Sequence, residues 1–493
     1  MADPLVQKRK LGEDELSGPD KRHCEGSIDD RDFEKASSVP LNGVVEREVL
    51  RVPRIKESVA AWWDTPYEQQ LRQKQDLVKK VLVKYARKLE ATNPALKPWL
   101  KQQREAHGGC CPVLPIRASP VTEGYRNKNE FSVGRHLATG EATVGFRLSS
   151  YRQGSMSVAP PDALPNVPAS AKAVTRCFQE YVRQSGKEPF DPESHGGYWR
   201  QLTVRTSCQG HVMAIVVIHP QGLTEHLGCC VVDPNGTSFQ EEITEEKRKL
   251  REFFESGPGQ VCGVTSLYLQ RFDKKRPEGE QAEFEHLFGT TELEERVRGL
   301  SFRVGPDAFF QVNTPAAEVL LEVAEDLAAL GPRTTLLDVC CGTGTIGLCM
   351  AAKVARVYGV EVCKRAVENA KRNAEANGIG NASFVLGRAE DTMHDVMHTL
   401  RDSEDMVAVV DPPRQGLHNK VLRALRATAS IKRLVYISCN PEGALQNFLD
   451  LARPASNNYR GQPFVVVKAA PVDMFPHTPH CELVLLLERL ESQ

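Results

Sequence analysis

Between residues 334 and 488, seven short runs rich in β-branched residues lie at 334–340, 354–360, 382–386, 406–411, 432–438, 463–469 and 482–488. Helical stretches such as 363–377 separate the earlier runs. Apolar runs of this length, spaced by helices, are the pattern of strands buried on both faces. They predict an α/β catalytic region over 301–493, a mostly parallel Rossmann-like sheet with helices on both sides. The last two runs have no long helix between them, so they are expected to pair antiparallel.

The first run carries Asp338 and is followed by Cys340-Cys341-Gly342-Thr343-Gly344-Thr345-Ile346-Gly347. A tight glycine turn between strand and helix lets backbone approach a nucleotide closely, so Gly342 and Gly344 are candidate cofactor contacts. The second run ends at Glu361, nineteen residues after Gly342. A carboxylate there can accept both hydroxyls of a ribose. Read literally, the loop is also the dinucleotide fingerprint, so by itself it does not separate NAD from S-adenosylmethionine. Asp338 before the turn leans towards a methyltransferase.

Three further segments lie at the ends of later runs, where open α/β sheets place their ligands. They are Asp411-Pro-Pro-Arg414, Ser438-Cys439-Asn440-Pro441 and His480-Cys481-Glu482. Each alone has a dull explanation as a turn, a packed thiol or a surface acid. Together they fit methylation of a pyrimidine at C5. That carbon is a poor nucleophile until a thiolate adds at C6, and a base must later remove the C5 proton so that the thiol can leave. Cys439 suits the first role and Glu482 the second; Asp411 would hold the donor or the base edge. Arg414 could bind phosphate or the uracil edge.

These strings, with Tyr125-Arg-Asn-Lys-Asn-Glu-Phe131 and Phe309-Phe-Gln-Val-Asn313, resemble the RNA uracil-5-methyltransferase family, especially its eukaryotic tRNA branch. The resemblance runs from about 120 to 493. It implies a class I S-adenosylmethionine-dependent methyltransferase domain, Cys439 as nucleophile and Glu482 as proton acceptor. It also implies Gln311, Cys340, Glu361 and Asp411 as contacts of S-adenosyl-L-methionine, and the T-loop uridine of tRNA (position 54 in tRNA convention) as substrate. Bacterial members carry a tyrosine where this chain has Cys340. Some members hold an iron–sulfur cluster on four spaced cysteines; here that region offers only adjacent Cys110-Cys111, with Cys24 far upstream. Neither a cluster nor a structural metal is expected. No aromatic RNA-recognition string stands near the start, so that module is expected to be absent, or the chain to be a short form.

The rest of the chain reads as support for RNA. Residues 1–50 are polar and aperiodic, the signature of a disordered tail. Lys8-Arg9-Lys10 and Lys21-Arg22 within them have the spacing of a bipartite nuclear-import signal, or are simply solvated. Residues 51–110 form a basic helical segment: Leu71, Val78, Leu82, Tyr85 and Leu89 recur at helical spacing. Ten Lys/Arg fall between Arg72 and Arg104 against Asp76 and Glu90, a local field suited to phosphate. Residues 111–300 alternate with period two and predict a central α+β RNA-binding domain. There Arg126, Lys128 and Phe131, with Tyr125, form a basic string interleaved with aromatics that could meet a base turned out of its stack. Phe131 reads equally well as sheet core.

Composition sets the outer bounds. With 41% hydrophobic and 26% charged residues, the 493-residue chain is neither wholly disordered nor fibrous. No run approaches the roughly 18–20 apolar residues of a membrane helix. Fourteen scattered cysteines without an export signal read as reduced thiols in cytosol or nucleus. A net charge of −1 gives no whole-chain sign of nucleic acid. tRNA is the expected partner, and no obligate protein partner is evident. Other functions compatible with the residues are a tRNA-folding chaperone resting on the basic segment, the same chemistry on ribosomal RNA, and an NAD-dependent oxidoreductase resting on the glycine loop.

Overall fold

The alternating segments of the central region build a sheet with a solvated and a buried side. In a computed structural model, which describes residues 51–148, 157–219, 239–272 and 283–490, seven strands form it. They are β1 (Lys128–Arg135), β2 (Ala142–Arg147), β3 (Val158–Ala159), β4 (Trp199–Thr206), β5 (Val212–Ile218), β6 (Ser266–Arg271) and β7 (Phe284–Gly289). Their order is β3-β2-β1-β4-β5-β6-β7, and the β5–β6 pair is parallel while the rest are antiparallel. Helices Ala169–Gln184 and Phe239–Glu255 supply Phe178, Ile243 and Leu250 to the core beneath it. The tail 1–50, with its two basic clusters and Cys24, lies outside the described residues.

A hairpin of β8 (Leu293–Val297) and β9 (Leu300–Val304) leads into the second sheet. Leu293, Val297, Phe302 and Val304 of this hairpin pack with helix Thr314–Ala328. The second sheet comprises β10 (Thr335–Val339), β11 (Arg356–Glu361), β12 (Ala382–Leu386), β13 (Met406–Val410), β14 (Ile431–Ser438), β15 (Phe464–Val472) and β16 (Glu482–Arg489). Their order is β12-β11-β10-β13-β14-β16-β15. Strands β10 to β14 run parallel; β16 inserts antiparallel between β14 and β15, as the missing crossover helix predicts. Every residue of β10 and β13 is buried, because helices cover both faces. The order reverses between β10 and β13, and that switch point opens a crevice at the strands' carboxyl ends.

The helix Tyr67–Thr92 lays Leu71, Val78, Leu82, Tyr85 and Leu89 inward, as their spacing predicts. The Tyr85 ring meets Phe448 edge-on with centroids 6.2 Å apart, joining this helix to helix Leu445–Leu451 behind the catalytic sheet. The chain then runs parallel to β15, where Leu114 N–H donates to Ala469 O (2.8 Å) and Arg117 N–H to Pro471 O (2.9 Å). Among the described residues no helix is long and apolar enough to cross a membrane.

Candidate active site

The glycine loop is shaped by residues on the left-handed side of φ. Cys340 sits at φ +66°, Gly342 at +55° and Gly344 at +80°. Such a conformation costs a residue with a Cβ about 1–2 kcal/mol, so Cys340 is held there by its surroundings. Cys340 and Cys341 N–H both donate to Val360 O, at 2.9 and 3.1 Å. Glu361 is fixed by Gly342 N–H on Oε2 (3.0 Å) and Cys363 N–H on Oε1 (2.8 Å). Each oxygen keeps acceptor capacity for a diol. Gly347 N–H donates to the buried Asp338 Oδ2 (2.9 Å), while Asp338 Oδ1 has no partner. A Cβ on Gly347 would lie 2.6 Å from Val357, so only glycine lets helix Thr345–Met350 sit this close to the sheet.

Across the crevice, Gln311 Nε2 donates to Asp411 Oδ2 at 3.2 Å. Together with Phe309, Leu320, Cys340 and Gly342, this pair lines a cleft. Burial pushes Asp338 and Asp411 each up to about 7 and the Cys340 thiol up to about 12, and the neighbouring carboxylates add to the rise at Asp338 and Cys340. Among the described residues, no lysine or arginine lines the cleft. Carboxylates without cations favour a positively charged ligand. The donor set fits a sulfonium nucleoside. Because Gly342 faces open space, nothing obstructs backbone approach there.

Cys439 directly follows β14, and Glu482 opens the neighbouring strand β16. The β14–β16 ladder pairs Arg433 with Glu488 through to Ser438 with Leu483. The ladder ends there: Cys439 follows Ser438 in a bend, and Glu482 precedes Leu483 at the start of β16, so both flank the last pair. Burial raises the Cys439 thiol pKa, Glu482 and Asp411 raise it further, and Arg414 opposes the rise. Glu482 is 4% exposed, its Oε2 lacks a partner, and burial and then Asp411 push its pKa well above the ordinary carboxylate range.

A family model for tRNA (uracil-5-)-methyltransferase matches residues 270–490. The chain is 46% identical over 443 residues to mouse tRNA (uracil-5-)-methyltransferase homolog A, covering 90% of this chain and 70% of the relative. It is 41% identical over 440 residues to zebrafish homolog B, covering 88% of this chain and 87% of the relative. The chain belongs to the tRNA (uracil-5-)-methyltransferase family. Among solved structures, the Pyrococcus abyssi tRNA (uracil-54, C5)-methyltransferase in complex with S-adenosyl-L-homocysteine shares its fold. That match has TM-score 0.57 and 21% identity, covering 86% of this chain and 83% of the other. The fold is the class I methyltransferase architecture.

In this methyltransferase, Gln311, Cys340, Gly342 and Asp411 share one cleft; Gly344 starts the adjoining helix and Glu361 bonds to the loop. The RNA string fares differently. Phe131 is fully buried against Phe146 (centroids 5.2 Å), so its ring is unavailable to a base. Period-two alternation turns it into the core once Lys128 and Glu130 face outward. Tyr125 is also buried, its hydroxyl donating to Pro476 O (3.0 Å). Arg126 and Lys128 are partly exposed, Lys128 pairing with Glu130 at 2.8 Å, and Arg414 is exposed. The basic count 72–104 needs one correction. Lys74 is fully buried, donates to Asp473 Oδ1 (2.6 Å) and Phe475 O (3.0 Å), and is not available to phosphate.

Asn127 was not singled out by the sequence reading, although it lies inside the Tyr125–Phe131 string. Its Nδ2 donates to Gln311 O (2.9 Å) and Thr314 Oγ1 (3.0 Å), tying the central sheet to the cleft wall. Asn313 caps helix Thr314–Ala328 through Ala316 N–H (3.2 Å) and reaches Met474 O (3.2 Å) on the β15–β16 turn.

Proposed function

We propose that this chain forms 5-methyluridine in tRNA, at uridine 54 of the T loop, through a covalent bond between Cys439 and C6 of the target base. The observation that carries the reading is the end of the β14–β16 ladder, whose last pair, Ser438 and Leu483, is flanked by one thiol, Cys439, and one buried carboxylate, Glu482, whose charge acts on that thiol. The family membership supports tRNA as substrate class.

The residues divide the work as follows. Glu361 accepts from the donor's ribose, and Gln311 and Asp411 hold its amino-acid end or the base edge. S-adenosylmethionine supplies an electrophilic methyl group on sulfonium. Cys439 must lose its proton to solvent before attack, and Arg414 is the cation that favours the thiolate. The thiolate adds to C6 and the C5=C6 π pair moves to C5, which would take the methyl as the donor's S–CH3 bond breaks, its electron pair staying on sulfur and the neutral thioether leaving. Glu482 then accepts the C5 proton, the C5=C6 bond re-forms, and the thiolate leaves. A carboxylate whose pKa is raised by burial is a stronger base than an exposed one, which suits it to a carbon acid.

The test is incubation with unmodified tRNA and labelled donor, then nucleoside digestion. 5-Methyluridine should appear with wild type and not with Cys439→Ala. Glu482→Gln should accumulate a protein–RNA adduct that survives denaturing electrophoresis. Absence of both product and adduct with folded protein would sink the reading.

A further inference from the structure

We propose that the outer face of helix Tyr67–Thr92 is the surface that takes the RNA phosphates flanking the target uridine; this rests on the function proposed above and deepens it.

Lys80, Lys84, Arg87 and Lys88 recur at i, i+4, i+7 and i+8 and so share one helix face; with Lys79 and Val83 they line a groove. No acid occurs between residues 79 and 88. Lys80–Lys84 and Lys84–Lys88 are like-charge i,i+4 pairs, which work against the helix. Another solvated helix of the same chain shows the alternative. On Phe239–Glu255, Arg248 pairs with Glu245 (2.7 Å) and Glu252 (2.8 Å), and Arg251 with Glu255 (2.7 Å). The basic face has no such interleaving. Lys80, Arg87 and Lys88 pair with no carboxylate among the described residues, and Lys79 reaches Asp76 only at 3.8 Å.

The exception is informative. Lys84 pairs with Glu442, three residues beyond Cys439. Three residues span at most about 11 Å. Asn440 tightens the path, its Oδ1 accepting from Gly443 N–H (3.2 Å) and its carbonyl from Ala444 N–H (3.0 Å). The basic face therefore begins beside the loop that presents the thiol, and the Glu442 carboxylate stands where a phosphodiester oxygen would meet Lys84. The other side of the helix is packed on helix Leu445–Leu451, so the cations are held on a rigid element.

The experiment measures affinity of the full chain for an unmodified tRNA transcript, and for the isolated hairpin carrying the target uridine, across a salt series. Each neutralised phosphate contributes about 0.7 to 0.9 to the slope of log K against log salt. Lys80→Gln/Arg87→Gln/Lys88→Gln should lower that slope by about 2 to 3 for both RNAs. The same change corresponds to a loss on the order of 10²-fold at 0.1 M salt relative to 1 M. Glu442→Gln should raise affinity and slope by freeing Lys84. Arg248→Gln/Lys249→Gln/Arg251→Gln should change neither. Covalent capture of a 5-fluorouridine hairpin at saturating RNA should persist in the triple variant. That readout separates failure of this surface from failure of the proposed chemistry. An unchanged slope would overturn the proposal and leave the face to an acidic protein. A loss confined to whole tRNA, or weaker binding by Glu442→Gln, would overturn its placement beside the target.

Discussion

Lys74→Met isolates the most demanding interaction in the fold. Lys74 Nζ and Asp473 Oδ1 are 2.6 Å apart, and both side chains are 0% exposed. Asp473 opens the turn between β15 and β16, and nine residues later that turn delivers Glu482. Gln70, one helical turn before Lys74, grips the same turn, accepting from His477 N–H at 2.7 Å. Removing the ammonium leaves a carboxylate in the interior with Phe475 N–H (3.0 Å) still donating to it. Breaking one side of a buried pair costs about 3–5 kcal/mol. For a chain this long, the melting temperature should fall by about 3–5 °C. Lys74→Met/Asp473→Asn removes both charges, keeps an acceptor for Phe475, and should recover most of that loss. The assay is thermal unfolding of the two single variants and the double, read as a cycle. A Lys74→Met protein within about 1 °C of wild type, or strictly additive variants, would refute the claim that this pair is charged and mutually compensating.

Three other outcomes follow from the same geometry. Arg414→Gln removes the cation that opposes the rise of the Cys439 thiol, so adduct formation should require higher pH, with its rate profile displaced to the alkaline side. An unmoved profile would place Arg414 too far away to matter. Asn127→Ala strands the Gln311 carbonyl and should weaken S-adenosyl-L-homocysteine binding about tenfold, measured by calorimetry, while unfolding changes little. Phe131→Ala should cost about 3–5 kcal/mol of stability in denaturant titration. RNA affinity of the protein that remains folded should be unaltered, because the ring lies in the core.

What the sequence disclosed was whatever is local. All seven catalytic strands appear within three residues of the runs that announced them, because buried parallel strands leave continuous apolar text. The glycine loop and Glu361 were legible because nineteen residues carry the chain from one strand end to the next. Distant pairings were not. Lys74 falls on the apolar stripe of its helix, a visible anomaly, yet Asp473 lies 399 positions away and nothing local names it. Asn127 and Gln311 are 184 apart and meet only after two sheets have folded. Phe131 was misjudged for a different reason. Aromatics beside basic residues look alike whether they stack on bases or fill a sheet, and only strand phase separates the two.

The stretch around Val113 and Arg117, bridged to Ala469 and Val472, has a practical consequence for dissecting this protein. Trimming the chain back to the Rossmann-like portion would strip the partners from the Ala469 and Pro471 carbonyls and from the Ala469 and Asp473 N–H groups along the β15 edge. It would also uncover the greasy flank that Leu82, Tyr85 and Leu89 now shield. Such a fragment should self-associate instead of behaving as a minimal enzyme, and any attempt to shrink the catalyst has to keep residues from about 66 onward.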